Sequence, residues 1–264
     1  MTEDRSGVKS LNLALDVIEA VASAEEDIGV TELAVRLGLT KATVFRHLQT
    51  LVERNYLAQN ARTSRYRLGI QCQLLAQLSS NRIDLRSASE EVAQWLREET
   101  GLSVVVSAVR ARSVIVLSTL MAKSALQIGV RPGSELSLHS SAQGRAALAF
   151  GAPSLMTYAR RQKVEQNTPY TIMDWNELDA KIAQVRLTGW ADAPEELALG
   201  LNAVAAPVYD ESGDCVGTIA VVGLIQNLPR AVDPDVAEAL LAAAQRVSAN
   251  LGHVKTEKAT AINA

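Results

Sequence analysis

Apolar residues recur at helical spacing in the first third of the chain and cluster at strand-like density further on, so two kinds of architecture follow one another. Residues 8–23 carry Leu11, Leu15, Ile18 and Val21 or Ala22 on one stripe, which predicts an opening helix with more apolar surface than a small domain needs. The acidic run Glu25-Glu26-Asp27 reads as a solvated turn. Leu33, Ala34 and Leu37 then share a helical face, Gly38-Leu39-Thr40 interrupts it, and Val44, Leu48 and Leu51 resume an apolar stripe. This predicts two short helices joined by a tight turn. Gly38 suits the left-handed position that ends the first, and Thr40 is an N-cap able to accept from the amide of Ala42 or Thr43. Residues 58–68 then read as strand, polar turn and strand, a wing beside a helix-turn-helix.

The second part of the chain changes character. Residues 71–86 lack Gly and Pro and keep Leu74, Leu75 and Leu78 together, which predicts a linker helix, and residues 87–100 predict another helix with Val92, Trp95 and Leu96 inward, stopped by Gly101. The β-branched runs 103–109 and 114–120 flank a hairpin at 110–113, with a third strand expected over 125–130. A helix is expected from near Ser140 to Phe150, two more over 153–161 and 174–187, and a loop over 192–200. Strands over 203–209 and 215–224, joined by the turn 210–214, and an amphipathic helix over 234–251 complete the pattern. Strands early, helices between and strands late imply an α+β domain with an antiparallel sheet. The organisation expected is thus a winged helix-turn-helix domain over 1–70, a linker over 71–86, a second domain over 87–254 and a tail over 255–264, with both termini frayed.

Charge adds a function to the first domain. Residues 30–70 hold seven Lys or Arg against Glu32 and Glu53, in a chain whose net charge is −3. A local positive patch on an acidic chain is the electrostatic mark of a phosphate-binding face. On the second helix of the pair, the face opposite the core carries Thr40, Lys41, Ala42, Thr43, Phe45, Arg46 and Gln49; the wing adds Arg62, Arg65 and Arg67. Arg can pair with guanine and Gln with adenine, while Lys and Thr reach phosphates near a helix start. We expect Arg46 to read a base edge and Arg65 to reach phosphate or the minor groove. Polar residues on such a face otherwise merely meet water.

The runs SLNLALDVIEAVA and GVTELAVRLGLTKATVFRHLQTLVERNYLAQNARTSRYRLG resemble the winged helix-turn-helix of the IclR family of bacterial transcription regulators. The later runs LSLHSSAQGRAALAF and GWADAPEELALGLNAVAAPVYDESGDCVGTIAVVG are similar to that family's effector-binding domain, so the resemblance covers nearly the whole chain. It implies a double-stranded DNA operator as partner, a small-molecule effector, a GAF/PAS-like second domain, and a homodimer or homotetramer in which the opening helix helps to pair DNA-binding domains. The family's second-domain signature falls on Gly189, Ala193, Glu196, Ala203 and Tyr209-Asp210. Keto-acid binders of the family use polar side chains where this chain has Ala193 and Ala203, and serines where it has Ala220 and Val222. Four apolar replacements argue for a ligand more apolar or aromatic than a small carboxylate, because such a carboxylate needs donors to offset its desolvation. Ile128, Ser141, Ala142 and Gln143 complete the expected effector site. A pocket filled by its own side chains is the alternative.

Other chemistry finds little support. Cys72 and Cys215 are far apart and lack a histidine at ligand spacing, so two free thiols are expected, with no metal and no cofactor. His47, His139 and His253 are scattered. His139, Ser140 and Ser141 raise a catalytic possibility, but capping explains the serines and no acid stands at recognisable spacing, so neither an enzyme nor a bare interaction scaffold is the leading reading. No signal-peptide pattern or transmembrane run occurs, and a cytoplasmic protein without membrane contact is expected.

Overall fold

A computed structural model of the chain describes residues 8–79, 84–124 and 127–254, so the expected frayed tails and part of the expected linker lie outside the described residues. The chain divides into two compact units, residues 1–82 and 83–264.

In the first unit, α1 (Lys9–Ala22), α2 (Val30–Leu37) and α3 (Lys41–Glu53) enclose a core of Val17, Val21, Leu33, Val44, Leu48 and Leu57, each buried. The turn forms as its residues dictate: Gly38 takes the left-handed conformation at φ 63°, and the Thr40 hydroxyl accepts from the Thr43 amide at 3.2 Å. Strands β1 (Leu57–Gln59) and β2 (Tyr66–Leu68) form the wing. Ile28 joins them through paired backbone bonds to Tyr66, both 2.9 Å, so the wing is stitched to the segment that enters α2. Helix α4 (Ile70–Ser79) follows directly, and its Gln71 amide donates to Asn55.

The second unit begins with α5 (Leu85–Thr100), which corrects the expected linker boundary. Leu85 and Arg86 belong to α5 because Asp84 caps it, its carboxylate accepting from the Ser87 amide at 2.8 Å. The sheet holds β3 (Ser103–Val109), β4 (Val114–Leu120), β5 (Glu135–Leu136), β6 (Ala191–Asp192), β7 (Leu201–Tyr209) and β8 (Cys215–Leu224), all antiparallel, in the order β5-β4-β3-β8-β7-β6. The expected third strand over 125–130 is not formed by its described residues. Val130 is held beside the end of β4, its carbonyl accepting from the Thr119 hydroxyl at 2.5 Å, and β5 pairs with the start of β4, at Val114 and Ile115. The expected loop over 192–200 likewise loses its first residue to β6.

Both faces of this sheet are covered. Val105, Ala203, Ala205, Ala220 and Val222 face α6 (Ala142–Phe150), α7 (Pro153–Ala159) and α8 (Trp175–Thr188). Val104, Val106, Val204, Ala206, Val208, Ile219 and Val221 face α5 and α9 (Pro234–Asn250). The strands therefore read as continuous apolar runs rather than as alternation.

Candidate nucleic-acid interface and ligand cavity

Burial of Val44, Leu48 and Leu51 turns the opposite face of α3 outward, and Lys41, Ala42, Phe45, Arg46 and Gln49 are exposed there while Thr43 is half-buried. Among the described residues, the side chains of Lys41, Arg46 and Gln49 make no hydrogen bond or ion pair, so their donors are available to a ligand. Thr40 and Thr43 bond to each other as well as capping the helix, which fixes the first turn. At the wing tip Asn60 accepts from the amides of Arg62 and Thr63, holding a tight turn from which Arg62 projects, and Arg67 is exposed on β2.

Among the described residues, two of the seven cations bond within the unit. Arg65 donates through Nε to the Asp27 carbonyl at 2.5 Å and pairs with both Glu32 oxygens at 3.0 and 2.8 Å, bracing the wing against α2. Arg36 reaches the Ala20 carbonyl and the Ser23 hydroxyl at the end of α1. Arg65, expected at phosphate or the minor groove, thus has its guanidinium engaged at the base of the wing, whereas among the described residues the side chains of Arg62 and Arg67 make no hydrogen bond or ion pair. The sequence signal lay in Glu32, but a pairing across 33 positions has no local pattern.

Seven of the eight expected effector residues converge. Ile128, Ser141, Ala142, Gln143, Ala193, Ala203 and Val222 line one cavity of about 80 Å³, together with Leu197, Ala198, Leu201 and Asn202. Ala220 does not line it: paired between Val105 and Ala205 beneath α6, it is fully buried in the core. The polar groups nearby are largely occupied. The Ser141 hydroxyl donates to the Ser137 carbonyl at 2.5 Å and accepts from the Gly144 amide at 2.9 Å; it is therefore the cap of α6, and that first-turn amide is not free for an anion. The Gln143 amide nitrogen donates to the Ser107 hydroxyl at 2.7 Å, and Asn202 donates to the carbonyls of Leu228 and Pro229. Gly144 is required here, because a Cβ would stand 2.2 Å from the Ser137 carbonyl oxygen.

A buried ion pair beside this cavity is the residue set that sequence reasoning only half found. Arg145 on α6 is fully buried, donates to the carbonyls of His139 (2.9 Å) and Asp192 (2.8 Å), and binds Glu196 in bidentate fashion. Glu196 also accepts from the Ile172 amide at 3.3 Å, and its carbonyl accepts from the Thr171 hydroxyl at 2.7 Å. One guanidinium thus ties α6, β6 and two loops together. Glu195 beside it has φ 60°, holds the Gly200 amide at 3.0 Å and pairs with Arg230; the Gly200 bond first and Arg230 second hold its carboxyl below the usual range despite partial desolvation. Residues 193–200 are therefore anchored at 195–196, while Leu197 and Leu199 stand exposed at the apex.

His139, Ser137 and Ser140 form the turn that leads into α6. The Glu165 carbonyl can only accept, so His139 carries its proton on Nε2 (3.0 Å) and Nδ1 accepts from the Ser137 hydroxyl (3.0 Å), not from Ser140 or Ser141. Ser137 also accepts from the Ser140 amide, as a residue leading into α6 does. No carboxylate side chain bonds this pair among the described residues, nor do three His, Cys, Asp or Glu gather there as metal ligands. No helix among the described residues is long and apolar enough to cross a membrane.

A sequence model described as the C-terminal domain of the bacterial transcriptional regulator IclR matches residues 77–249, and one described as the IclR helix-turn-helix domain matches residues 10–61. The HTH-type transcriptional regulator BhcR of Paracoccus denitrificans is 28% identical over 247 residues, spanning 93% of this chain and 88% of that protein. A putative IclR transcriptional regulator from a Silicibacter species superposes with a TM-score of 0.80 at 26% identity, covering 94% of this chain and 98% of that one. An IclR homologue from Microbacterium hydrocarbonoxydans, solved in complex with 4-hydroxybenzoate, has the same fold with a TM-score of 0.79 at 21% identity over 92% and 99% of the two chains.

Proposed function

The chain belongs to the IclR family of bacterial DNA-binding transcriptional regulators, and on that premise we propose that it reads an operator as a dimer and responds to a small, predominantly apolar effector. The observation that carries the DNA reading is the exposed face of α3, where, among the described residues, the side-chain donors of Lys41, Arg46 and Gln49, like those of the wing cations Arg62 and Arg67, are unengaged. Arg46 and Gln49 are suited to base edges; Lys41, Thr43, Arg62 and Arg67 to phosphates. Dimerisation rests on apolar surface in the same unit: Leu11 and Leu15 on α1, and Ile70, Leu74, Leu75 and Leu78 on α4, are all exposed. Two copies would present two recognition helices to an inverted repeat.

The effector reading rests on the cavity beneath residues 193–200. Its walls are aliphatic at Ile128, Ala193, Leu197, Ala203 and Val222, and its polar neighbours already have partners. A volume of about 80 Å³ is below that of a site for a six-membered ring, since a cavity of roughly 150 Å³ holds benzene. An aromatic effector therefore enters only if the apex at Leu197–Leu199 swings outward while 195–196 stay anchored. The 4-hydroxybenzoate complex of the Microbacterium relative is consistent with a ring in this fold. Binding would alter DNA affinity by as much as the effector discriminates between the two arrangements of the dimer.

Selection of bound duplexes from a random library, followed by calorimetry with glyoxylate, pyruvate, aromatic acids and phenols, tests both parts. An enriched inverted repeat and aromatic binding abolished by Ala203→Glu are expected. Failure to enrich any duplex, or monomer alone in light scattering at micromolar concentration with and without DNA, overturns the first part. Tight glyoxylate binding, or aromatic binding indifferent to Ala203→Glu, overturns the second.

A further inference from the structure

A second cavity in the C-terminal unit lies away from the effector residues and is larger, about 350 Å³. It is lined by Phe150 at the end of α6, Gly189 after α8, Pro207 and Tyr209 on β7, and Leu241, Ala244, Gln245, Ser248, Ala249 and His253 on or after α9. The topology creates it. Strand β6 pairs with β7 only at Ala205 and Val204, so β7 runs on past it, and on that edge its last residues, paired on the other side with β8, meet α9. An uncovered strand edge would ordinarily invite a further strand. Here it is closed to one: Pro207 has no N–H, and the Tyr209 amide donates to the Ser248 hydroxyl at 3.0 Å. What remains is a recess of small-molecule size, within the range of about 300–1,000 Å³ common to ligand sites.

Its chemistry is narrow. None of its lining residues carries a permanent charge, so nothing there compensates a carboxylate or an ammonium. The rings of Phe150 and Tyr209 meet edge to face at 6.4 Å, and the His253 ring lies over Tyr209 at 5.3 Å. His253 Nδ1 is 3.0 Å from the Asp210 carbonyl, which can only accept; Nδ1 therefore bears a proton, and in that tautomer Nε2 is an acceptor. The Ser248 hydroxyl, by contrast, is spent between the Tyr209 amide and the Ala244 carbonyl. We propose that this recess between β7 and α9 is a second ligand site, for a small neutral aromatic bearing one hydroxyl donor, a phenol rather than a benzoate. The ring would lie against Phe150, Pro207 and Leu241 and the hydroxyl would donate to His253 Nε2. This site is independent of the effector reading above.

The test is a 19F NMR titration of 4-fluorophenol, 4-fluoroanisole and 4-fluorobenzoate against the full chain and against Ala203→Glu, Ala249→Trp and Gln245→Trp. Ala249 and Gln245 are exposed on α9, so either tryptophan should plug the mouth without entering the core. For a ligand of this size a dissociation constant on the order of a millimolar or tighter is expected. It should be retained in Ala203→Glu and weakened at least about tenfold by either tryptophan, with the anisole and the benzoate also about tenfold weaker. Absence of 4-fluorophenol binding at roughly ten times that concentration overturns the proposal. So does binding that Ala203→Glu removes and both tryptophan variants retain. A tryptophan variant that changes the molar mass in light scattering without weakening the phenol also overturns it, since the recess is then a contact between copies.

Discussion

Replacing Glu196 with leucine would leave the Arg145 guanidinium, fully buried on α6, without its counter-charge. Removing one partner of a buried pair costs about 3–5 kcal/mol, a large share of the roughly 5–15 kcal/mol that holds a domain folded. Arg145→Met should cost about the same, because it strands the Glu196 carboxylate with only the Ile172 amide as a donor. The double variant Arg145→Met/Glu196→Leu removes both charges, yet it is not neutral. It orphans the carbonyls of His139 and Asp192 and the Ile172 amide, and at about 1 kcal/mol or more each it should lose about 3–5 kcal/mol in total. The three variants are therefore expected to be similarly destabilised, with a coupling of about 3–5 kcal/mol between the sites. All three tryptophans, Trp95, Trp175 and Trp190, lie in the C-terminal unit, so urea unfolding followed by tryptophan fluorescence reads this unit directly. With a slope of about 2 kcal/mol per molar urea, the midpoint should fall by about 2 M in each variant. Glu196→Gln, which keeps one acceptor for Arg145, should fall less. A double variant whose loss equals the sum of the single losses, or single losses under about 1 kcal/mol, would refute the claim that this pair clamps the loops around the cavity.

Arg46→Ala should cost about 1–3 kcal/mol of operator affinity and relax the preference at one base pair, whereas Arg62→Ala and Arg67→Ala should weaken all duplexes evenly and each reduce the salt slope by about one. Arg65→Ala should act through the wing, lowering the melting temperature of the first unit along with DNA affinity; unchanged thermal stability with a reduced salt slope would return Arg65 to the phosphate contacts. In the second unit, burial pushes the Tyr209 hydroxyl up to about 12, with the neighbouring Cys215 adding to the shift, and burial pushes the Cys215 thiol up to about 11. Both groups keep their protons longer folded than unfolded, so their contribution is intact below pH 9 and is lost as pH rises from about 9 to about 12. Tyr209→Phe should flatten the upper part of that alkaline decline in urea midpoints, and an unaltered profile would contradict the burial argument.

What could be read from the sequence was what depends on near neighbours along the chain. The Gly38 turn, the Thr40 cap, the wing strands and the paired late strands each follow from residues within a few positions, and the structure forms them there. Elements that depend on distant partners were harder. Residues 125–130 have strand-like side chains, but pairing is decided by which segment reaches the free edge of β4, and Glu135–Leu136 takes it. The cavity residues were legible through the family resemblance, which located seven of them; their roles were not, because the Ser141 hydroxyl is taken up between the Ser137 carbonyl and the Gly144 amide and the Gln143 amide donates to Ser107. Arg145 shows the limit most clearly. In the sequence it is one arginine in an alanine-rich helix, where exposure is the default expectation. Its burial requires Glu196 from 51 residues away and two carbonyls from elements on either side, none of which has a periodic signature. Yet the same three partners hold the chain at Asp192 and Glu196 and leave the Leu197–Leu199 apex outside their hold. The pair that sequence could not place therefore decides which part of the loop can open over the cavity.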